Sequence, residues 1–235
     1  MSYVIPAPTP VGLPVVGSDA LFPVRRVYCV ARNYAAHALE MGADPTREPP
    51  FFFSKYNDAQ SVVPIARDGS ASIPYPSLTH NLHHEVELVV VLQSGGQHIS
   101  VDTALQHVYG YAIGLDMTRR DLQTQMKDAG RPWEIGKAFD YAAPIGAVHP
   151  VSLVGHVDHG EIQLSVNGTP RQHGNINQLT WNVAETISKL SEYFELHAGD
   201  VIFTGTPEGV GAVQAGDVMH ASIAGLGTMT VRLQD

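Results

Sequence analysis

Short apolar runs, each bounded by Gly, Pro, Asn or Ser, dominate the chain and predict a structure made mostly of β-strands. A run of about four to eight apolar or alternating residues between turn residues is typical of a strand. Eight segments fit this description: Arg26–Ala31, Phe51–Ser54, Glu85–Leu92, Tyr109–Asp116, Glu161–Val166, Val201–Thr204, Asp217–Ala224 and Gly227–Leu233. Asn167-Gly168 follows the fifth segment and predicts a tight hairpin, because both residue types tolerate a positive φ angle.

Helical signals are fewer and indicate short helices. Asn182 and Glu185 have the spacing of a capping box, and apolar residues follow them at helical intervals. Three further helices are predicted, the first two of which end at a glycine: Asn33–Met41, Arg119–Ala129 and Val101–Val108.

The first 24 residues are rich in proline and predict an extended arm, because proline is disfavoured inside helices and central strands. The rest of the chain, residues 25–235, has no internal repeat or linker and predicts one β-rich α+β domain. No segment has the charged start and unbroken apolar run of a signal peptide. No run approaches the ~18 apolar residues of a membrane helix. We therefore expect a cytoplasmic protein without membrane association.

The excess of acidic residues indicates which classes of binding partner are excluded. Fourteen Lys and Arg residues stand against 23 Asp and Glu residues, which gives a formal net charge of −9. A nucleic-acid-binding protein needs clustered cations on its surface, so this balance predicts no nucleic-acid partner. Cys29 is the only cysteine, which excludes a disulfide within the chain and a Cys-based zinc cluster.

Three acidic residues interrupt or close apolar strands and are candidates for a metal site. Glu85 and Glu87 share one face of a predicted strand, and Asp116 closes another. Buried carboxylates must be paired, protonated or metal-bound, whereas an exposed strand face needs none of these. Three oxygen ligands suit Mg²⁺ or Mn²⁺ better than zinc. Histidines in the segment 80–84 offer a rival zinc site, for which a surface loop is the ordinary alternative.

A second constellation combines an imidazole with a carboxylate. His37 and Glu40 lie three residues apart and therefore on one face of a predicted helix, where the carboxylate can orient the ring as a general base. An exposed ion pair is the ordinary alternative. Arg120 and Gln123 share another helical face near Asp116, and Lys137 is a lone cation in an apolar stretch.

Together these residues resemble the fumarylacetoacetate hydrolase family. The match runs from about Arg26 to the C-terminus, and its specificity comes from five motifs in the same order. They are Cys29–His37, His84–Leu88, Gly114–Gln123, Gly136–Asp140 and Thr204–Gly211.

The resemblance implies an α+β fold that is mostly β, a mixed β-sandwich roll with a few short helices, usually assembled as a homodimer. It implies Mg²⁺ or Mn²⁺ held by Glu85, Glu87 and Asp116, and a catalytic His37–Glu40 dyad. Other matched positions contact substrate or stabilise negative charge: Arg120, Gln123, Lys137 and Thr206.

The implied reaction is metal-dependent hydrolysis of a C–C bond in a 2,4-diketo acid. Within the family, the similarity is greatest to the compact acylpyruvase-like branch, in particular to the fumarylpyruvate hydrolases of gentisate breakdown. Fumarylpyruvate has a second carboxylate, which Arg32 or Arg131 can receive.

Three alternatives stay open. One is an acylpyruvate hydrolase of broader specificity. The second is an oxaloacetate decarboxylase or a 2-hydroxyhepta-2,4-diene-1,7-dioate isomerase, and the third is a non-catalytic metal-binding β domain. Hydrolysis needs an activated water and decarboxylation does not, so His37 and Glu40 favour the hydrolase.

Overall fold

Short strands carry most of the architecture in the computed structural model, which describes residues 3–40, 48–66 and 69–234. In chain order the strands of these ranges are β1 (Gly12–Pro14), β2 (Leu21–Pro23), β3 (Arg26–Ala31), β4 (Phe51–Lys55), β5 (Val62–Pro64), β6 (Ser70–Pro74), β7 (Leu82–His84), β8 (Val86–Leu92), β9 (Val108–Leu115), β10 (Thr118–Arg119), β11 (Ala143–Ile145), β12 (His149–Pro150), β13 (Glu161–Val166), β14 (Thr169–Asn175), β15 (Asp200–Phe203), β16 (Gly211–Val213), β17 (Val218–Ile223) and β18 (Gly227–Gln234). The α-helices are α1 (Ala35–Glu40), α2 (Val101–Ala104), α3 (Arg120–Asp128), α4 (Glu134–Lys137), α5 (Val151–Val154) and α6 (Val183–Tyr193), and two 3₁₀ turns cover Leu105–His107 and Ile176–Gln178.

Two large mixed sheets enclose the main core. The first has the order β4-β3-β15-β8-β9-β11-β5, with β12 paired to β9, and the second has the order β14-β13-β17-β18-β6. Three pairs are parallel, β15 with β3, β11 with β5 and β18 with β6. Alternate residues of β8 contribute to two separate hydrophobic clusters, so all seven of its residues are buried. The prediction of a mostly β, mixed-sheet fold with few short helices is confirmed.

The N-terminal segment contributes to the second hydrophobic cluster. Residues 3–10 are exposed and belong to no helix or strand, but β1 pairs with β2 in an antiparallel hairpin. Leu13 and Phe22 of that hairpin pack in one cluster with Val89 and Val91 of β8. This hairpin therefore covers one face of the first sheet, and the domain boundary at residue 24 stays a prediction.

The predicted elements agree with the structure within narrow limits. The eight predicted strands are present, with ends that differ by at most one residue. Asn167 and Gly168 have φ angles of 51° and 77°, and they join β13 to β14 as the predicted hairpin. The capping box at Asn182 is formed, and α3 is followed by Gly130 at φ 61°. The end of the first helix, predicted at Met41, lies outside the described residues.

The prediction missed nine strands of two to five residues, and it merged two elements after Val101. The segment Val101–His107 contains α2 and a 3₁₀ turn, and Val108 already starts β9. None of the helices in the described ranges has the length and apolar character that crossing a membrane requires.

Candidate active site

The pairing of β8 with β9 brings the three predicted metal ligands together. Val86 is opposite Leu115 in this register, which places Glu85 beside Asp116, and the Asp116 backbone N–H donates to the Glu85 carbonyl at 2.9 Å. One carboxylate oxygen from each of Glu85, Glu87 and Asp116 lies within 4.8 Å of the others, and all three residues are buried. An arrangement of three hard oxygen donors can hold a divalent cation such as Mg²⁺ or Mn²⁺.

Three buried cations balance these carboxylates. Lys137 Nζ donates to Glu85 Oε2 at 2.8 Å, to Asp116 Oδ2 at 2.7 Å and to Thr118 Oγ1 at 2.7 Å. Arg120 Nη2 donates to Glu85 Oε1, and Lys55 Nζ lies 2.7 Å from Asp116 Oδ1. The three cations and the carboxylates of Glu85 and Asp116 are thereby paired, as burial of charge requires.

The carboxyl groups differ in how readily they ionise. Burial opposes ionisation of Glu85, but Lys137 and Arg120 outweigh it and hold the pKa of this carboxyl well below its usual range. For Glu87, burial and the negative charges of Asp116 and Glu85 raise the pKa well above the usual range, although Gly205 N–H donates to it at 2.6 Å. A divalent cation would favour the ionised form of Glu87.

One oxygen of the cluster has capacity for a further ligand. The contact between Lys55 Nζ and Asp116 Oδ1 lies outside hydrogen-bond geometry, so Oδ1 accepts no hydrogen bond from the described residues. A buried carboxylate oxygen in this state is suited to bind a metal ion.

Lys55 is a site residue that the sequence reasoning missed. It ends β4, its side chain is fully buried, and its ammonium also donates to the carbonyl groups of Met117 and Lys137. The only sequence signal is a lysine at the end of the aromatic strand Phe51–Lys55. That signal is weak, because a lysine at a strand end is ordinarily solvated.

Lys55→Met is expected to lower the free energy of unfolding of the metal-free protein by about 3–5 kcal/mol, because it removes one of the two cations paired with Asp116 and leaves the Met117 and Lys137 carbonyl groups without their buried donor. Urea denaturation followed by circular dichroism measures this change. The matched control is Lys189→Met, which removes an exposed pair with Glu192 and should change the free energy by less than about 1 kcal/mol. Equal stability losses in the two variants would contradict a structural charge at Lys55.

The predicted His37–Glu40 pair is formed on α1. His37 Nδ1 lies 3.2 Å from Glu40 Oε2, and the Gly209 backbone N–H donates to both Glu40 oxygens at 3.1 and 3.2 Å. Gly209 has a φ angle of 89°, and a Cβ there would lie 2.0 Å from the Arg171 carbonyl oxygen, so only glycine fits. The loop that carries Gly209 thus fixes Glu40, which in turn orients the imidazole of His37.

A buried amide anchors the segment that carries α1. The side chain of Asn33 donates to the carbonyl groups of Trp181 at 2.9 Å and Thr204 at 2.8 Å, and it accepts from the Trp181 N–H at 2.7 Å. Arg32, next to it, has a φ angle of 57°. This anchor ties the segment to the strand end that precedes Gly205 and Thr206.

One cleft gathers the predicted site residues. It encloses about 610 Å³, part of it open to solvent. Nine of the ten predicted side chains line it, namely Arg32, His37, Glu85, Glu87, Asp116, Arg120, Gln123, Lys137 and Thr206. The tenth, Glu40, contacts the cleft through His37. Arg131 instead lines a neighbouring groove beside Trp133.

Two of these side chains are engaged in ways that the sequence did not indicate. The hydroxyl of Thr206 donates to the Val86 carbonyl at 2.7 Å and accepts from Gln172 Nε2 at 2.7 Å, so it is satisfied within the protein. Arg120 Nη1 donates to Gln123 Oε1 at 2.5 Å, which holds the two side chains together.

The histidine segment 80–84 supports the site rather than forming a second metal site. Burial lowers the pKa of His83 to about 4, with the Arg120 charge adding to the effect, and the neutral ring accepts from Arg120 Nε at 3.3 Å. His84 is fully buried and its Nδ1 lies 2.9 Å from Gln172 Oε1. The surface-loop interpretation is therefore wrong for these two histidines. In the described part of the chain they do not join a metal-binding cluster.

Comparisons with known proteins agree with this site. Residues 26–234 match the family model described as fumarylacetoacetate (FAA) hydrolase C-terminal. The fumarylpyruvate hydrolase of Ralstonia sp is 43% identical over 188 residues, which are 80% of this chain and 94% of the relative. A mitochondrial oxaloacetate tautomerase of Arabidopsis thaliana, FAHD1, is 39% identical over 86% of this chain and 87% of the relative.

A solved structure is more similar still. The crystal structure of fumarylpyruvate hydrolase from Pseudomonas aeruginosa in complex with Mn²⁺ and pyruvate superposes with a TM-score of 0.97 at 57% identity, and the match covers 99% of both chains. With a family model that matches nearly the whole chain and relatives of this similarity, the chain belongs to the fumarylacetoacetate hydrolase family.

Proposed function

We propose that this protein is a divalent-metal-dependent hydrolase that splits fumarylpyruvate and water into fumarate and pyruvate. The observation that carries the proposal is a single cleft holding both the Glu85–Glu87–Asp116 cluster and an imidazole oriented by Glu40. Two relatives named fumarylpyruvate hydrolase, at 43% and 57% identity, support this substrate.

Mg²⁺ or Mn²⁺ held by the three carboxylates would supply a Lewis acid that binds the C1 carboxylate and C2 keto oxygen of the substrate. The Pseudomonas aeruginosa enzyme with Mn²⁺ and pyruvate supports this assignment. Lys55, Lys137 and Arg120 balance the charges of Glu85 and Asp116 and hold these two carboxylates in place for such an ion.

His37 has the geometry of a general base. Glu40 holds its Nδ1, so Nε2 can take a proton from a water molecule. The water oxygen then bonds to C4, the C3–C4 bond breaks, and its electron pair passes to the pyruvate fragment. The proton held by His37 can return to C3, which completes the balance of the reaction.

Several side chains of the cleft can stabilise the negative charge that develops on the substrate. Arg120 and Gln123 lie together at its base, and the Lys137 ammonium is beside two ligand carboxylates. Arg32 lines the cleft as an exposed cation and is proposed to bind the substrate. Because the Thr206 hydroxyl is occupied, its proposed substrate contact is through the backbone N–H.

A second candidate function is oxaloacetate tautomerisation or decarboxylation, because relatives with these names are 38–41% identical to the chain. The same donor set can bind oxaloacetate through its carboxylate and keto oxygens. The oriented His37 favours hydrolysis over decarboxylation, since decarboxylation needs no activated water. Tautomerisation also uses a proton acceptor, so the choice of substrate distinguishes it from hydrolysis.

A substrate panel tests the proposal. We expect purified protein with Mg²⁺ or Mn²⁺ to abolish the ultraviolet absorbance of fumarylpyruvate and to form equal amounts of fumarate and pyruvate. Maleylpyruvate, acetylpyruvate and oxaloacetate are the comparison substrates, and excess EDTA should stop turnover. Unchanged fumarylpyruvate together with rapid conversion of oxaloacetate would refute the hydrolase and support the second candidate.

We also propose a cytoplasmic homodimer that acts in gentisate breakdown. A chain with only 16% charged residues, and with exposed apolar side chains such as Leu153, supports burial of further area between two copies. Light scattering tests the assembly, and a monomer at all concentrations would contradict it.

A further inference from the structure

The mouth of the cleft carries two cations that have no partner among the residues the structure describes. Arg32 and Lys127 line the cleft, both are exposed, and neither side chain forms a hydrogen bond or ion pair with another described residue. The base of the cleft differs, because three cations there are paired with two of its carboxylates, Glu85 and Asp116. Unpaired positive charge is thus concentrated at the mouth, where it is available to an anionic ligand.

Helix α3 connects the base of the cleft to its mouth. Arg120, Gln123, Thr124 and Lys127 all line the cleft, at positions i, i+3, i+4 and i+7 of one helical face. At 1.5 Å per residue, the backbone of Lys127 lies about 10 Å from that of Arg120 along the helix axis. The helix therefore sets the distance between the carboxylate cluster and the ammonium of Lys127.

We propose that Lys127 binds the second carboxylate of a dicarboxylic 2,4-diketo acid and so determines acyl specificity. The inference rests on the proposed function of the same cleft. An extended seven-carbon chain separates its two carboxylates by about 7 Å, at the advance per bond of an extended backbone. A substrate with one carboxylate at the cluster can therefore place the other within reach of the flexible Lys127 side chain.

Two aromatic residues of the cleft wall suit the unsaturated part of such a substrate. Phe53 and Trp133 line the cleft together, with their ring centroids 6.0 Å apart. Flat apolar rings favour a planar conjugated acyl chain over a hydrated one.

Lys127 fits this role better than the other two cations of the region. Arg131 lines the neighbouring groove and not the cleft. Arg32 also lines a different groove, beside Pro49 and Trp181, and it lies outside the helix that positions Arg120 and Gln123. The distance of Arg32 from the carboxylate cluster at the base of the cleft is thus not fixed by one rigid element.

The test compares a dicarboxylic with a monocarboxylic substrate. In Lys127→Met, kcat/KM for fumarylpyruvate should fall about 10- to 100-fold, the range for loss of a charge-assisted hydrogen bond. The value for acetylpyruvate, which has no second carboxylate, should stay within about twofold. Lys127→Arg should restore most of the selectivity, and Lys189→Met on α6 is the matched surface control.

Each other result overturns the assignment. Equal losses for both substrates would mean that Lys127 supports the fold or the base of the cleft. Unchanged kinetics in Lys127→Met, with lost selectivity in Arg32→Met, would transfer the role to Arg32. If wild-type protein cleaves acetylpyruvate but not fumarylpyruvate, the inference fails while C–C hydrolysis stands. If it cleaves neither, the proposed function itself fails.

Discussion

Replacement of His37 by asparagine is expected to lower kcat for fumarylpyruvate by about 10²- to 10⁴-fold, the usual contribution of a general base. Asparagine is similar in size and can donate a hydrogen bond to Glu40, so the position of α1 is preserved. It has no nitrogen that accepts a proton near neutral pH. The loss should therefore affect kcat much more than KM.

The affinity of His37→Asn for Mn²⁺ shows whether the variant has lost only the general base or has also lost the metal site. Lys137, Arg120 and Lys55 surround the carboxylates without help from His37, so Mn²⁺ binding measured by calorimetry should change less than about threefold. His159→Asn is the control, because this exposed side chain lies outside the cleft. Full turnover of the true substrate by His37→Asn would indicate a lyase such as a decarboxylase instead.

The parts of the site that follow from local periodicity could be predicted from the sequence. Glu85 and Glu87 share a face because side chains alternate along a strand, and His37 meets Glu40 because residues three apart are neighbours on a helix. Local periodicity alone does not place Asp116 beside the two glutamates, since its position depends on the pairing of β8 with β9. The order of the family motifs supplied that information.

The parts that depend on distant segments could not be predicted in this way. Lys55 binds the carbonyl groups of Met117 and Lys137, which are 62 and 82 residues away. Gln172 joins His84, Val86 and Thr206 across 88, 86 and 34 residues. No local pattern distinguishes such a lysine or glutamine from one on the surface, because only the tertiary fold buries it.

Very short strands were missed for a related reason. A segment such as β1 or β11 has three residues, too few to show a period of two. The prolines of β1, β2 and β11 also argue against strands, but each belongs to a short pairing with at most one neighbour at that position. Whether these segments form strands depends on the partners they pair with, and not on the strand propensity of their own residues.

Neutralisation of Glu87 and neutralisation of Glu85 should change the free energy of unfolding by very different amounts. Glu87→Gln is expected to leave the unfolding free energy of the metal-free protein within about 1 kcal/mol of wild type. The reason is that burial, Asp116 and Glu85 raise the pKa of Glu87, so a neutral amide resembles its protonated carboxyl. Glu85→Gln should instead cost about 3–5 kcal/mol, because it leaves the buried Arg120 charge without a carboxylate partner and leaves Lys137 paired with Asp116 alone.

Both substitutions should weaken Mn²⁺ binding by more than about 100-fold, beyond the 10- to 100-fold typical of residues that only support a ligand.

Calorimetry repeated in buffers of different ionisation enthalpy measures the number of protons released when Mn²⁺ binds. Because the pKa of Glu87 is raised, Mn²⁺ binding to wild-type protein should release more protons than residual binding to Glu87→Gln at the same pH. The control is Glu192→Gln, an exposed change on α6. Strong Mn²⁺ binding by Glu87→Gln with unchanged proton release would remove Glu87 from the ligand set, and it would leave two carboxylates, too few for the proposed site.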